Sequence, residues 1–160
     1  MKQKKCRLLI VEDDTALASL LEELLSEAGY AVRLCHRGDV ALEILSRETF
    51  DLVLSDIRLP GASGLTILEQ ASGDPCRTLV ILMTGFSGIE DALDAVNQGA
   101  YDFVSKPFQL PEIRVRLDNA ARYQQVVRQL MDEDEEISPQ HKRISDQAAV
   151  RVYGAQKNLD

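Results

Sequence analysis

The sequence predicts an α/β fold in which five parallel strands alternate with five helices. Short apolar runs recur along the 160 residues, and several are continuous rather than alternating, as in strands buried on both faces. Stretches with apolar residues at three- and four-residue steps, the helical period, separate these runs. Such an alternation folds into a parallel sheet with right-handed crossovers and helices on both faces.

The predicted strands follow directly from the apolar runs. They are Leu8–Val11, Ala31–Leu34, Leu52–Leu54, Leu79–Met83 and Phe103–Val104. All are far too short to cross a bilayer. The basic N-terminal residues lead into the first strand without the apolar region of a signal peptide. We therefore expect a soluble, cytoplasmic protein without a membrane partner.

The predicted helices fill the intervals after the strands. In the first helix, leucines recur at helical spacing from Leu17 to Leu25, and Gly29 supplies the C-terminal stop. The fifth helix begins at Pro111, a residue suited to the first turn. The apolar faces of the three helices between them lie within residues 40–45, 65–68 and 89–96.

The chain changes character beyond the alternating pattern. Residues 1–122 hold all the predicted strands, and residues 123–137 continue the fifth helix into a run of acidic residues. Ser138-Pro139 then breaks the helix. We expect a folded domain over 1–122, a helical extension with coiled-coil character over 123–137, and a flexible linker or tail over 138–160.

The fifth helix also predicts self-association. An apolar stripe, interrupted by Gln124, includes Ile113, Leu117, Ala120, Val127 and Met131. The first part of this stripe packs on the sheet, whereas the part beyond residue 122 has no core to meet. A second copy of the helix is its natural cover, which predicts a homodimer. A solvated, unpaired extension is the alternative.

Composition limits the classes of function. A formal net charge of -8 argues against direct nucleic-acid binding by the main body. Cys6, Cys35 and Cys76 lack metal-type spacing, so we expect reduced thiols. His36 and His141 have no ligand-like neighbourhood in the sequence, and we expect both to be ordinary surface residues.

Charged and polar side chains lie within the few residues that follow four of the predicted strands. The carboxyl ends of parallel strands meet at one edge of a sheet, where such folds form their active crevice. The residues expected to lie together there are Glu12, Asp13 and Asp14 after the first strand, Asp56 after the third, Thr84 after the fourth and Lys106 after the fifth.

This set of residue types fits phosphoryl transfer to a carboxylate. Crowded carboxylates resist joint ionisation unless a cation compensates, and a set of oxygen ligands suits magnesium. An aspartate can act as the nucleophile, while an ammonium and a hydroxyl stabilise the phosphoryl oxygens. Taken singly, Asp14 is better explained as a helix cap, while a solvated loop residue for Lys106 and a turn residue for Thr84 are open alternatives. All four residue types at the four expected strand ends favour the functional interpretation.

Four segments resemble the receiver domains of two-component response regulators. They are Leu9–Asp14, Leu54–Leu65, Ile81–Gly85 and Gly99–Phe108. The resemblance covers about residues 6–122 and is strongest to receivers of enhancer-binding, nitrogen-regulator-type transcription activators. It implies a flavodoxin-like, doubly wound sheet with strand order 2-1-3-4-5. It also implies a phosphoryl donor, a phosphohistidine on a sensor histidine kinase or a phosphotransfer protein.

The resemblance implies a phosphoacceptor and a metal site at defined positions. Asp56 is the position that accepts the phosphoryl group. Asp13 corresponds to a direct magnesium ligand, Glu12 to a ligand through water, and the backbone carbonyl of Arg58 to a further ligand. Asp14, the third acid, is the least expected of the acidic residues to bind the metal.

The resemblance also implies a switch. Thr84 and Lys106 fill the phosphate-contact positions, and the Lys106–Pro107 peptide bond is cis in the family. Thr84 and Phe103 fill the two switch positions, although the family often has tyrosine where this chain has Phe103. Tyr101, two residues earlier, is expected on the same sheet face but is not assigned that role.

Two further positions bear on turnover and on alternative functions. The resemblance implies that the side chains of Arg58 and Phe86 flank the line along which water attacks the phosphorylated aspartate. Neither side chain can accept a proton, so we expect a long-lived phosphorylated form. A magnesium-dependent aspartate-nucleophile phosphatase is an alternative function. Such an enzyme commonly needs an acid for the leaving group two residues after the nucleophile, and Arg58 at this position counts against it. A flavin carrier is disfavoured because three acids follow the first strand. A stand-alone receiver and a fragment of a longer activator both remain open.

Overall fold

The computed structural model describes residues 3–71, 78–85 and 89–136, which form a five-stranded parallel sheet with helices on both faces. The strands are β1 Arg7–Val11, β2 Ala31–Cys35, β3 Leu52–Asp56, β4 Leu79–Thr84 and β5 Asp102–Ser105. The helices are α1 Thr15–Glu27, α2 Gly38–Arg47, α3 Gly64–Ala71, α4 Ile89–Asn97 and α5 Leu110–Glu136.

The strand order is β2-β1-β3-β4-β5, which confirms the flavodoxin-like order that the resemblance implied. β1 lies between β2 and β3, with Val11 opposite Cys35 on one side and Ser55 on the other. β4 continues the sheet, with Asp56 opposite Met83 and Thr84 opposite Ser105. This register brings the carboxyl ends of β1, β3, β4 and β5 to the same edge.

Two apolar layers cover the sheet. Leu8, Ile10 and their strand neighbours pack against α1 and α5, whereas Leu9, Val11 and their neighbours pack against α2, α3 and α4. Successive residues of β1 therefore enter opposite layers, because successive side chains of a strand point to opposite faces. Burial on both faces explains why the strands are continuous apolar runs.

Local chemistry fixes where the helices begin. Asp14 is the N-cap of α1, and its Oδ1 accepts hydrogen bonds from the backbone N–H groups of Ala16 and Leu17. This is the capping role that the sequence favoured for the third acid. α5 begins at Leu110 rather than at the expected Pro111. Pro111 therefore lies inside the first turn, where its missing N–H costs no hydrogen bond.

Gln124, which interrupts the apolar stripe of α5, has a structural role. Its side chain is buried, and Nε2 donates a 2.8 Å hydrogen bond to the carbonyl oxygen of Asp51, just before β3. The same carbonyl accepts the backbone N–H of Leu79 at the start of β4. A polar side chain at this core position therefore satisfies a carbonyl at the amino-terminal edge of the sheet.

The chain forms two compact units, and the first ends at Gln125. From Val126 to Glu136 the chain is helical, and the large apolar side chains of Val126, Leu130 and Met131 are exposed. Cys35 is a buried free thiol and Cys6 is half-buried, whereas Cys76 and His141 lie outside the described residues. Within the described ranges, no helix is long and apolar enough to cross a membrane.

Candidate functional site

Glu12 follows β1 directly and is completely buried. Its backbone N–H donates to the carbonyl of Cys35 at the end of β2, and its own carbonyl lies 2.9 Å from Nδ1 of His36. Both polar groups of the Glu12 backbone are thus tied to the β2 end, which fixes the side chain at the sheet edge. Burial raises the pKa of the Glu12 carboxyl, and the hydrogen bond from Lys106 only partly opposes this.

Glu12, Asp13 and Asp56 form an acidic cluster. One carboxylate oxygen from each residue lies within 4.8 Å of the others. Glu12 and Asp56 are buried, whereas Asp13 is exposed, so one side of the cluster faces solvent. Three carboxylates at this spacing offer only hard oxygen donors, the ligand set that suits a magnesium-like cation.

Lys106 joins the two buried carboxylates of the acidic cluster. Its Nζ lies 2.8 Å from Oε2 of Glu12 and 2.7 Å from Oδ2 of Asp56. Burial lowers the pKa of the Lys106 ammonium, but the hydrogen bonds and charges of Asp56 and Glu12 outweigh that effect and hold it above its usual value. Lys106 therefore remains a cation between two acids.

Thr84 and the Lys106–Pro107 peptide lie at the same sheet edge. Thr84 ends β4, is buried, and accepts the backbone N–H of Lys106 on its carbonyl oxygen at 2.7 Å. The Lys106–Pro107 bond is cis, in agreement with the resemblance. The end of β4 and the residue that follows β5 are thereby joined through the backbone of Lys106.

The chain turns sharply after Asp56. The backbone N–H of Arg58 donates to Oδ1 of Asp56 at 3.2 Å, while Lys106 binds the other carboxylate oxygen. Gly64 begins α3 so close to this turn that a Cβ there would lie 2.3 Å from the carbonyl oxygen of Asp56. Only glycine fits at that position without moving the backbone.

The two aromatic residues near β5 lie on opposite faces of the sheet. Phe103 packs into the layer with α2, α3 and α4. Tyr101 packs into the layer with α1 and α5, and its ring centroid lies 5.5 Å from that of Tyr123. The expectation that Tyr101 shares a face with Phe103 is wrong, because Tyr101 precedes the first strand residue, Asp102, and does not follow the strand alternation.

The structure thus brings together five of the predicted site residues. Glu12, Asp56 and Lys106 are in direct contact, Asp13 completes the acidic cluster, and Thr84 ends the neighbouring strand. The Arg58 side chain is exposed, and Phe86 lies outside the described residues.

Two side chains beside the site were not predicted to contact it. His36 is exposed, as expected of a surface residue, but its Nδ1 also contacts the Glu12 backbone. The buried hydroxyl of Ser55 donates to the carbonyl of Asp56. His36 directly follows β2, so the rule that located the acids could also have located it. Ser55 lies inside a strand, and no pattern in the sequence marks its hydrogen bond.

Comparison with known proteins gives the same family throughout. A family model described as "Response regulator receiver domain" matches residues 8–118. The transcriptional regulatory protein DltR of Streptococcus agalactiae is 36% identical over 122 residues, covering 76% of this chain and 54% of DltR. The regulator NtrC of Klebsiella pneumoniae is 37% identical over 116 residues, 72% of this chain and 25% of NtrC.

Solved structures agree with the sequence relatives. The crystal structure of NtrX from Brucella abortus aligns with a TM-score of 0.72 at 29% identity, over 81% of this chain and 30% of NtrX. The chain therefore spans about half of DltR and about a quarter of NtrC. Sheet order, the residues at the strand ends and the family match agree, and the chain belongs to the response regulator receiver domain family.

Proposed function

We propose that this receiver domain accepts a phosphoryl group on Asp56 from a histidine kinase or a phosphotransfer protein, with magnesium as cofactor. The observation that carries the proposal is the contact of Lys106 with both Asp56 and Glu12 inside the acidic cluster. A nucleophilic carboxylate, a fixed ammonium and a set of oxygen ligands within one crevice are the parts that phosphoryl transfer needs.

In the proposed step, a carboxylate oxygen of Asp56 attacks the phosphorus of a phosphohistidine. A P–O bond forms as the P–N bond breaks, and the electron pair of the broken bond stays on the imidazole nitrogen, which takes up a proton. Lys106 balances the charge of the phosphoryl oxygens, and the Thr84 hydroxyl donates to another of them. The product is an acyl phosphate on Asp56.

The acidic cluster fits the proposed magnesium ion. Asp13 and Asp56 would bind it directly, Glu12 through water, and the backbone carbonyl of Arg58 would supply a further oxygen. When bound, the ion neutralises charge on the transferring phosphoryl group. Two buried carboxylates that share one ammonium still carry net negative charge together with Asp13, which favours a divalent cation.

Phosphorylation is proposed to act through Thr84 and Phe103. Thr84 moves toward the phosphoryl group, Phe103 turns inward, and the surface of α4, β5 and α5 changes. A shift of this equilibrium from 1:99 to 99:1 requires roughly 5.5 kcal/mol of differential stabilisation. Charge-assisted hydrogen bonds to the phosphoryl group supply energy of that order only if several form together.

The proposed role is that of a signalling phosphoacceptor rather than a turnover enzyme. Two residues after Asp56, where an aspartate-nucleophile phosphatase would carry an acid, this chain has Arg58. Arg58 can donate to phosphoryl oxygens but cannot accept a proton from water. Together with the apolar Phe86, it favours a slow loss of phosphate. A magnesium-dependent phosphatase is the less favoured alternative.

The proposed receiver comprises residues 1–122, with a helical extension over 123–137 and a linker or tail over 138–160. Relatives named as transcription regulators support a transcriptional output in the cytoplasm, through a further domain or a partner, without DNA binding by the receiver itself. Exposed Val126, Leu130 and Met131 support pairing of α5 with a second copy of the chain.

Intact mass after incubation with a small phosphodonor and magnesium tests the proposed function. We expect the mass of one phosphoryl group to be added, and chelation of the metal to suppress the addition. Asp56→Asn should abolish the gain. Asp14→Asn is the matched control, because Asp14 is an acid at the same sheet edge that caps α1. Full labelling of Asp56→Asn would refute the assignment.

A further inference from the structure

A buried hydroxyl lies immediately before the proposed phosphoacceptor. Ser55 is completely buried in β3, and its Oγ donates a 2.9 Å hydrogen bond to the carbonyl oxygen of Asp56. Buried polar side chains in a strand core are uncommon and need a hydrogen-bond partner. Here the partner is the main chain of the residue on which the proposed chemistry depends.

The sheet explains why this carbonyl needs a side-chain donor. The pairing of β3 with β1 ends where Val11 lies opposite Ser55. On the opposite side, the main chain still pairs with β4, because the N–H of Ile57 donates to the carbonyl of Met83. The Asp56 carbonyl therefore projects beyond the end of β1, and the Ser55 hydroxyl supplies a donor there. A buried carbonyl without a donor is unfavourable.

α3 encloses the same carbonyl from another direction. A Cβ on Gly64 would lie 2.3 Å from the Asp56 oxygen, so the first residue of α3 packs directly against it. The N–H of Gly64 donates to the carbonyl of Ile57 at 2.8 Å. The Asp56–Ile57 peptide is thus held by Ser55 on one side and by the start of α3 on the other.

Orientation of this peptide determines where the next N–H points. The N–H of Arg58 donates to Oδ1 of Asp56, while Lys106 holds Oδ2. The two contacts together set the direction of the carboxylate. A rotation of the Asp56–Ile57 peptide would displace Arg58 and release one of the two carboxylate oxygens.

We propose that Ser55 is a positioning residue for phosphoryl transfer: through the Asp56 carbonyl, it keeps the carboxylate of Asp56 in its reactive orientation. The inference rests on the proposed function. The competing explanation is a core hydroxyl that only satisfies a carbonyl. In that case its loss lowers stability without affecting the rate of the folded protein.

The test compares Ser55→Ala with a matched loss of a hydroxyl-to-carbonyl hydrogen bond elsewhere. Thr78→Val is the control, because Oγ1 of Thr78 donates to the carbonyl of Phe50 at 2.7 Å, just before β4 and away from the site. Both variants and Ser55→Thr, which restores the hydroxyl, are assayed where circular dichroism shows them folded. The maximal phosphorylation rate is measured at saturating magnesium and small phosphodonor. A second readout, amide hydrogen exchange at Ile57 and Arg58, uses metal-free protein.

We expect Ser55→Ala to lower the maximal phosphorylation rate about tenfold, the factor that corresponds to the loss of one neutral hydrogen bond. The phosphodonor concentration that gives half the maximal rate should change little. Exchange at Ile57 and Arg58 should accelerate in this variant. Thr78→Val should leave both readouts at the wild-type level, and Ser55→Thr should recover most of the rate. If Ser55→Ala does not fold, Ser55→Cys replaces it under the same criteria, because a thiol is a weak donor.

The outcomes separate the two hypotheses. Wild-type protein that takes no phosphoryl group on Asp56 overturns the proposed function. Wild-type protein that is phosphorylated, with Ser55→Ala within about twofold of Thr78→Val in rate, overturns only the role of Ser55. A folded Ser55→Thr variant that is as slow as Ser55→Ala also overturns it.

Discussion

Replacement of Lys106 by methionine should destabilise the metal-free domain and make its stability strongly dependent on magnesium. Lys106 is the ammonium between Glu12 and Asp56, at 2.8 and 2.7 Å. Methionine keeps the length of the side chain but removes its charge. Two carboxylates, one of them completely buried, are then left without that cation.

The structure sets the magnitude of the loss. Removal of one partner from a buried ion pair costs roughly 3–5 kcal/mol. The Lys106 side chain is 25% exposed and that of Asp56 12% exposed, so solvent screens part of the interaction. We therefore expect a loss of about 2–3 kcal/mol in the free energy of unfolding without metal.

Urea unfolding with a chelator and with excess magnesium measures both parts of the prediction. An ion that binds the native acidic cluster stabilises the folded state by mass action, and Lys106→Met leaves more negative charge for it to neutralise. The variant should therefore gain more stability from magnesium than the wild type. Arg47→Met, which removes an exposed ion pair with Glu43, is the control and should change stability by less than about 0.5 kcal/mol.

The pH dependence follows from Glu12. Burial raises the pKa of the Glu12 carboxyl above the ordinary value of 4.5. Between these two pKa values, the folded state therefore holds a proton that the unfolded state has released. Stability therefore falls as pH rises from 4.5 through the raised pKa. Without Lys106, no comparable interaction opposes the effect of burial on the Glu12 pKa. The pKa should rise further, and the pH range over which stability is lost should extend to higher pH. The stability gap between Lys106→Met and wild type should consequently narrow as the pH is lowered.

Two results would refute this reasoning. One is a loss in Lys106→Met no larger than that in Arg47→Met under chelating conditions. The other is equal stabilisation of wild type and variant by magnesium. Either result would mean that the Lys106 ammonium does not compensate the negative charge of the acidic cluster in solution.

The remaining predictions concern the lifetime of the phosphoryl group and the oligomeric state. Arg58→Asn combined with Phe86→Glu should accelerate phosphate loss after donor removal by roughly tenfold or more, because amide and carboxylate groups can orient the attacking water. An unchanged rate of phosphate loss, with metal binding intact, would show that these two positions do not determine the lifetime. Val126→Glu with Leu130→Glu should convert a dimer to a monomer in light scattering, because both side chains are exposed on α5. Wild-type protein that is monomeric in both phosphorylation states at micromolar concentration would contradict the pairing of α5.

The fold was predictable because its signals are periodic and local. Continuous apolar runs identify strands that both layers bury, as the alternate packing of Leu8 and Leu9 shows. The site residues were predictable for a related reason. The carboxyl ends of parallel strands meet at one edge of the sheet, and Glu12, Asp56 and Lys106, which lie at such ends, do contact one another through Lys106.

What escaped prediction depends on pairing between distant residues. Gln124 appeared only as an interruption of an apolar stripe, since its acceptor, the Asp51 carbonyl, is 73 positions away. The face of Tyr101 was predicted wrongly because alternation applies only inside a strand, and β5 begins one residue later. The Ser55 bond depends on where β1 ends relative to β3, which no local pattern specifies.

The buried amide of Gln124 restricts how α5 can lie on the sheet. Apolar contacts alone tolerate small rotations of a helix about its axis, because one methyl group can replace another. A hydrogen bond is directional, so the 2.8 Å contact with the Asp51 carbonyl favours a single azimuth and a single axial register. A helix that slid along or rolled about its axis would break this hydrogen bond to the sheet. In the proposed switch, we therefore expect the change at the surface of α4, β5 and α5 to come from α4, β5 and side chains rather than from rotation of α5 about its axis.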